Sequence, residues 1–181
     1  LRSAGLAEIA PALYRNTSIK SLDLELNGLD DIESANVLRE LIRCNETITS
    51  LCLVDNTFGS NAAATLSIVE GVRSNTALQK LDLGSCKLGD HGISILANAL
   101  AIRNASILEL DLQWNDITSV GVRALVDDNA EVVKTLTKLC VSGNRIRCEG
   151  ATTLANALGD NAMPSLKQLQ LGCCGIGDDG L

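Results

Sequence analysis

Hydrophobic positions along the chain fall into one frame that returns six times. In the first copy, Ile19 is followed by Leu22 and Leu24, then by Asn27 and Leu29, with variable residues between them. Counted from Ile19 as the first, the fourth frame position is leucine in every copy, and it recurs at intervals of 29 or 30 residues. These anchors are Leu22, Leu51, Leu81, Leu110, Leu139 and Leu169. A near-constant period of this kind predicts a stack of similar units.

Each frame predicts a short strand, and the residues after it predict a helix. The alternation of Leu22 and Leu24 is typical of a strand with one buried face. Apolar residues then recur at the i, i+3, i+4, i+7 spacing of an amphipathic helix. That spacing is met by Ile93, Leu96, Ala97 and Leu100, by Ala151, Leu154, Ala155 and Leu158, and, before the first strand, by Leu6, Ile9, Ala10 and Leu13. Asp90 and the pair Thr118-Ser119 lie where helix N-caps belong.

One strand–loop–helix unit cannot bury its apolar face alone, so neighbouring units must stack. Helices are wider than the ~4.8 Å spacing of strands, which makes the stack curve. We therefore predict an α/β fold with parallel strands on a concave face and helices on a convex face. Four asparagines that precede the frame are expected to end helices in the left-handed conformation. They are Asn16, Asn45, Asn75 and Asn104.

Composition and charge narrow the possible partners. The formal net charge of −7 disfavours nucleic acids, whose binders carry clustered lysine and arginine. No apolar run approaches the ~18 residues that a membrane span needs. The seven cysteines are odd in number and lack paired spacing, which favours reduced thiols and a cytoplasmic protein. His91 is the only histidine, and nothing completes a set of about four metal ligands around it, so no metal or cofactor is expected.

Between the two strand leucines, one variable side chain per repeat is predicted to point into the concave face. This central column reads Asp23, Cys52, Asp82, Asp111, Cys140 and Gln170. Asp82 and Asp111 are like charges on adjacent strands, which is unfavourable without a compensating cation. One column earlier, Lys80, Glu109 and Lys138 alternate in sign and are expected to form a charge ladder. The two aspartates are thus either solvated, with the lysines of that ladder reducing their repulsion, or they form the binding site of a basic partner.

Trp114 is the only tryptophan, and it lies on the loop that leaves the fourth strand. The aliphatic core has no evident position for it there, and tryptophans are enriched at interface hot spots. Contact with a partner and packing on the loop rim remain equally open. The candidate partner-binding residues are Asp23, Glu25, Asp55, Asp82, Glu109, Asp111, Gln113 and Trp114.

A catalytic function for the paired aspartates is the alternative to partner binding. Retaining glycosidases hold two carboxyl groups about 5–5.5 Å apart, a spacing that adjacent strands produce by themselves. An open curved sheet, however, offers no enclosing pocket for a substrate. We therefore predict no catalytic residues and no enzyme activity.

The frame resembles the leucine-rich repeat family, and its period resembles the ribonuclease-inhibitor-like class, over the whole chain. The resemblance implies a horseshoe formed by one domain, residues 1–181, with five complete repeats from about residue 19 and partial repeats at both ends. We expect this domain to be a piece of a longer protein. In this family the asparagine or cysteine at the ninth frame position, such as Asn56 or Cys86, serves the loop backbone.

The resemblance also implies a function in binding proteins. Segments such as Leu88-Gly89-Asp90-His91-Gly92 are similar to arrays in NOD-like receptors and in activators of the GTPase Ran. The leading interpretation is a scaffold that binds a protein with a basic or mixed surface on its acidic concave face. A regulator of a small GTPase and a structural component of a large assembly are the alternatives.

Overall fold

The computed structural model describes residues 1–100, 106–126 and 131–177. Within them, six three-residue strands form one parallel sheet in chain order. The strands are β1 Ser21–Asp23, β2 Ser50–Cys52, β3 Lys80–Asp82, β4 Glu109–Asp111, β5 Lys138–Cys140 and β6 Gln168–Gln170. The helices are α1 Arg2–Tyr14, α2 Ile32–Cys44, α3 Ala62–Ser74, α4 Gly89–Leu100, α5 Ser119–Val126, α6 Glu131–Thr135 and α7 Arg147–Gly159, with a 3-10 helix, Thr57–Ser60, before α3. This order confirms the predicted α/β solenoid.

The strand register places every anchor leucine beside the next. Leu22 pairs with Leu51, Leu51 with Leu81, and the series continues to Leu169. The four inner anchors are at most 3 % exposed, whereas Leu22 and Leu169 are only partly buried. The terminal strands have a neighbour on one side only, so burial of each repeat depends on the repeats next to it.

The helices cover one face of the sheet, but two of the predicted apolar faces are rotated. In α4 the buried residues match the prediction, and they include Ile93 and Leu96. In α1, Ile9 is 43 % exposed, and in α7, Leu158 is 45 % exposed. The buried face of α7 holds Gly150, Leu154 and Ala157 instead of Ala155 and Leu158. A Cβ on Gly150 would lie 2.3 Å from the Cγ2 atom of Ile146, so the side chain that precedes α7 leaves no room for a larger residue on this face at Gly150.

The ninth frame position serves the loop backbone, as the family resemblance implies. Asn56 is fully buried, and its amide nitrogen donates to the carbonyl oxygens of Leu24 at 2.9 Å and Leu53 at 3.0 Å. Its amide oxygen accepts from the backbone N–H of Leu29 at 3.0 Å. In the third repeat the thiol of Cys86 donates to the Leu53 carbonyl at 3.1 Å. The side chains at this position therefore join adjacent repeats.

The asparagines before the frame act differently from the prediction. Asn45 and Asn75 have extended backbones, with φ of −91° and −90°, and Asn16 is not left-handed either. The amide of Asn45 donates to the Leu13 carbonyl at 2.7 Å, which joins it to the preceding repeat. The prediction was wrong because these side chains bond to the backbone, so no left-handed turn is needed. Asn104 lies outside the described residues.

Left-handed backbone recurs instead at the same position in every loop that leaves a strand. The residues there have φ between 54° and 71° in all six repeats: Leu26, Asp55, Ser85, Trp114, Gly143 and Cys173. Five of the six are not glycine, so this conformation belongs to the repeat geometry and not to a local sequence signal.

The helix N-caps were predicted in part. Thr118 precedes α5, and its hydroxyl oxygen accepts from the backbone N–H of Val120 at 3.2 Å. Asp90 does not cap its own helix, because α4 begins one residue earlier, at Gly89. Its carboxylate instead accepts from the backbone N–H groups of Thr118 at 2.8 Å and Gly121 at 2.9 Å, and so caps α5 of the next repeat.

Side chains also cap the N-termini of two other helices. Asp31 caps α2 and Asn61 caps α3 through their side chains, and neither was predicted. Among the described residues, every helix is too short or too polar to cross a lipid bilayer.

Candidate functional site

The sheet face turned away from the helices, the concave face, carries the predicted charge ladder in part. Lys80 and Glu109 are paired in register, and so are Glu109 and Lys138. The Lys80 ammonium lies 2.8 Å from the Glu109 carboxylate, in a partly exposed ion pair that contributes at most about 1 kcal/mol. Over the described residues, Lys138 forms no ion pair with Glu109. Its positive charge acts instead on Asp82, whose pKa it lowers.

Asp82 and Asp111 are direct neighbours on β3 and β4, as predicted. The net effect of their surroundings is to raise the pKa of Asp82. Partial burial is the largest cause, because it penalises the charged form, and the negative charges of Asp111 and Glu25 add to it. The N–H of Gly84 and the Lys138 ammonium oppose the shift without cancelling it. Ionising Asp82 beside Asp111 therefore costs more free energy than ionising an isolated aspartate.

The aspartates of the central column also accept a hydrogen bond from their own loop. Each aspartate accepts, through a carboxylate oxygen, from the backbone N–H of the residue two positions later. The distances are 2.9 Å for Asp23, 3.0 Å for Asp82 and 3.0 Å for Asp111. The thiols of Cys52 and Cys140 occupy the same place beside the N–H groups of Val54 and Ser142. The turns after the first five strands therefore have either a carboxylate or a sulfur as acceptor, whereas after β6 the N–H of Gly172 donates to the Ser142 hydroxyl at 3.0 Å.

The thiols of this column are poor nucleophiles. Burial is the main cause that raises the pKa of Cys52 to about 11, and the charges of Asp82 and Asp23 contribute. Burial likewise raises the pKa of Cys140. Since the thiolate is the reactive form, both thiols are protonated at neutral pH.

A shallow hollow lies in the middle of the concave face. Its volume is about 180 Å³, and its charged walls are Lys80, Asp82, Glu109, Asp111 and Lys138. Sites for small-molecule ligands usually enclose about 300–1,000 Å³. The hollow therefore suits a single side chain better than a cofactor.

A second acidic group lies at the N-terminal end of the same face. Asp23 and Glu25 are exposed, and with Cys52 they place one potential ligand atom each within 4.8 Å of one another. This is one fewer than the four ligands of a typical structural zinc site. Asp23 and Glu25 thus extend the acidic surface of the hollow toward the first repeat.

The structure does not bring all predicted site residues together. Asp82, Glu109 and Asp111 line the hollow, and Gln113 lies against Gly84 at its edge. Asp55 is exposed on the loop after β2, outside the hollow. The set predicted as one site thus divides between the hollow and the loops.

Trp114 belongs to a different surface. It lines a separate groove with Arg145 and Arg147, which the sequence analysis did not single out. The two arginines lie outside the strand columns, because they follow the loop asparagine Asn144. Their spacing in the sequence gives no sign that they meet Trp114 of the preceding repeat.

Comparisons with known proteins identify the architecture. A family model described as Leucine Rich repeat matches residues 15–32, 74–97, 103–126, 134–155 and 162–181. The chain is 30 % identical to human NACHT, LRR and PYD domains-containing protein 14 over 92 % of its length, but spans only 15 % of that protein. It is 29 % identical to pig ribonuclease inhibitor over 99 % of its length and spans 38 % of it.

Solved structures agree on the fold. Leiomodin-1 Actin-Binding Site 2 matches with a TM-score of 0.63 and 21 % identity, over 74 % of this chain and 76 % of that one. The tropomodulin C-terminal domain of Caenorhabditis elegans matches with a TM-score of 0.56 and 13 % identity, over 92 % and 82 % of the two chains. With the family match, the repeat frame and the parallel sheet, the chain belongs to the leucine-rich repeat family, in its ribonuclease-inhibitor-like class.

Proposed function

We propose that the chain is a scaffold that binds a protein partner on its concave face. The partner surface is basic or mixed in charge and meets the acidic side chains around the hollow. A nucleic acid or an anionic membrane would be repelled by a chain of net charge −7. We place the protein in the cytoplasm, because its seven cysteines are free and free thiols persist in reducing compartments.

The observation that carries the proposal is that the central column holds more negative charge than its turns require. Cys52 and Cys140 occupy the acceptor place of the aspartates without a carboxylate. The charges of Asp82 and Asp111 are therefore not needed for the hydrogen bonds at these turns. Side by side they repel each other, and a cation from a partner would relieve that repulsion.

The cations on this face do not balance its acids. Lys80 is engaged with Glu109 at 2.8 Å. Lys138 is the other cation lining the hollow, and its charge acts on Asp82. The exposed Asp23 and Glu25 add two more negative charges at the side of the first repeat. This imbalance supports a lysine or arginine of the partner as the group that enters the hollow.

The size of the surface supports a macromolecular partner. Six strands at ~4.8 Å spacing present a face about 24 Å across, and the loops that leave the strands extend this face toward the about 800 Å² per protein of a standard interface. Two similar proteins are named for acting on other proteins, namely ribonuclease inhibitor and the actin-binding site of leiomodin-1. Their names support the class of partner and say nothing of its identity.

The test compares charge reversal on the two faces. Wild-type protein, Asp82→Lys/Asp111→Lys and the control Glu8→Lys/Glu46→Lys are used as baits in extracts of the source cell, and captured proteins are quantified by mass spectrometry. Glu8 and Glu46 are exposed on α1 and on the loop after α2. We expect a basic partner that the wild type and the control capture equally, and that the concave variant captures at least about tenfold less, because like charges then face each other. Equal capture by all three baits would remove the concave face from the proposal.

A further inference from the structure

A second surface lies at the loop edge of the sheet, where β4, β5 and β6 end. It is an open groove of about 670 Å³ between three successive loops. Its walls include Trp114, Gly143, Arg145, Arg147, Cys148 and Cys173. None of these residues lines the hollow of the concave face, so the two surfaces can be altered independently.

The indole of Trp114 lies flat on the backbone of the next repeat. A Cβ atom at Gly143 would lie 2.3 Å from the indole Cδ2 atom, so this placement requires glycine at that position. One face of the ring is covered in this way, yet the residue remains 58 % exposed. The positive φ of Trp114 recurs at the equivalent residue of all six loops. The packing of an aromatic ring on a glycine, in contrast, is particular to the loop of Trp114. The protein thus holds a large apolar surface in place and leaves it open to solvent.

The free charge beside the indole is positive. Arg145 lies 3.3 Å from the carboxylate of Asp116, and the Glu149 carboxylate is occupied by Arg123 at 3.0 Å and by the Ser119 hydroxyl at 2.8 Å. Arg147 is exposed and forms no ion pair anywhere in the described ranges. A groove that holds a guanidinium without an ion pair among the described residues, together with an apolar ring, is complementary to a segment that carries both a carboxylate and an apolar side chain. The chain as a whole is acidic, so this charge preference is opposite to that of the concave face.

We propose that the groove binds an extended segment of a protein partner in which an apolar side chain neighbours a carboxylate. The apolar side chain packs on the open face of the Trp114 indole, as tryptophans do at the centres of interfaces. The carboxylate accepts hydrogen bonds from the Arg147 guanidinium, with Arg145 beside it. This binding is additional to that of the concave face and does not depend on it.

The single tryptophan makes the groove directly observable, because all indole fluorescence of the protein comes from Trp114. Two probes are used: a capped seven-residue peptide of alternating glutamate and leucine, and the same peptide with lysine in place of glutamate. Titration of the intact chain with the glutamate peptide is expected to shift the indole emission and to saturate. The lysine peptide should bind at least about tenfold more weakly, since it places cations against Arg147.

Three variants decide whether the groove is responsible. Arg147→Glu should reverse the preference between the two peptides, and Arg147→Gln should reduce it. Arg73→Glu makes the same charge change at an exposed position of α3 and should leave both titrations unchanged. Asp82→Lys/Asp111→Lys should also leave them unchanged, which separates this groove from the concave face. Equal affinity of the two peptides, absence of an emission change with the glutamate peptide, or equal behaviour of Arg147→Glu and Arg73→Glu would overturn the proposal.

Discussion

Two columns of short side chains run through all six repeats, and both mix oxygen acceptors with cysteine. The buried column is the ninth frame position, which is buried in every repeat but the first: Asn27, Asn56, Cys86, Asn115, Asn144 and Cys174. The other is the central column of the concave face, which is exposed or partly buried except at the buried Cys140: Asp23, Cys52, Asp82, Asp111, Cys140 and Gln170. Members of the first column bond across repeats, whereas the aspartates of the second accept from their own loop. Short polar side chains therefore stabilise the fold in the buried column, whereas in the central column they carry charge that a partner can contact.

The difference follows from where each column lies. A buried polar group that loses its partner costs about 1–3 kcal/mol, because water cannot replace the hydrogen bond. An exposed or half-exposed carboxylate that loses its neighbour is simply hydrated. Substitutions in the buried column should therefore change stability, and those in the central column should change binding.

The largest expected effect is in the buried column. The Asn115 amide nitrogen donates to the Leu83 carbonyl at 2.7 Å, and its amide oxygen accepts from the N–H groups of Cys86 and Leu88, both at 3.1 Å. Asn115→Ala removes all three hydrogen bonds. We expect a loss of about 3 kcal/mol or more in the free energy of unfolding, measured by urea denaturation. Asn115→Cys, which copies Cys86 and Cys174, should cost less. Equal losses for the two variants would show that the thiol hydrogen bond to the preceding repeat does not stabilise this column.

A carboxylate that caps a helix should behave like the buried column. Asp90 accepts from the backbone N–H groups of Thr118 and Gly121 in the next repeat. Asp90→Ala is expected to reduce the free energy of unfolding by about 1–2 kcal/mol, because it uncaps α5 and loosens two repeats from each other. Asp111→Ala in the same denaturation series is the matched control. A control variant that loses as much stability as Asp90→Ala would break the distinction between the columns.

A smaller effect of opposite sign is expected at Asp82. Its pKa is raised in the folded protein, chiefly by burial, so the folded state binds a proton more tightly than the unfolded state. The carboxylate then lowers stability as the pH rises through this pKa, and the penalty persists at neutral pH. Asp82→Asn should therefore increase the free energy of unfolding at pH 7 by a fraction of a kcal/mol, and the gain should shrink as the pH falls below the folded-state pKa. A variant less stable than the wild type at pH 7 would contradict this assignment.

The repeat frame was sufficient to predict the strands, their register and the pairing of Lys80 with Glu109, since the period aligns equivalent residues on adjacent strands. It failed for Asp90 and for the faces of α1 and α7, where contacts between repeats decide the outcome. In α7 the buried face includes Gly150, where a Cβ would lie 2.3 Å from the Cγ2 atom of Ile146, and Ala157, and it excludes Leu158.

The candidate site divides in the same manner. The Asp82–Asp111 pair follows from the period, but the placement of Trp114 on Gly143 depends on how successive loops lie on each other. Sequence spacing carries no information about that contact, and therefore Arg147 was not recognised as its neighbour.

The central claim is that the concave charges serve binding and not folding. The most direct measurement is the capture of the basic partner by Asp82→Asn/Asp111→Asn relative to the wild type, in one quantitative mass spectrometry experiment. Both asparagines keep an oxygen acceptor for the turns at Gly84 and Gln113 and remove only the charge. We expect capture to fall at least about tenfold, in a protein that unfolds at the same or a higher urea concentration. Undiminished capture by this well-folded variant would contradict it.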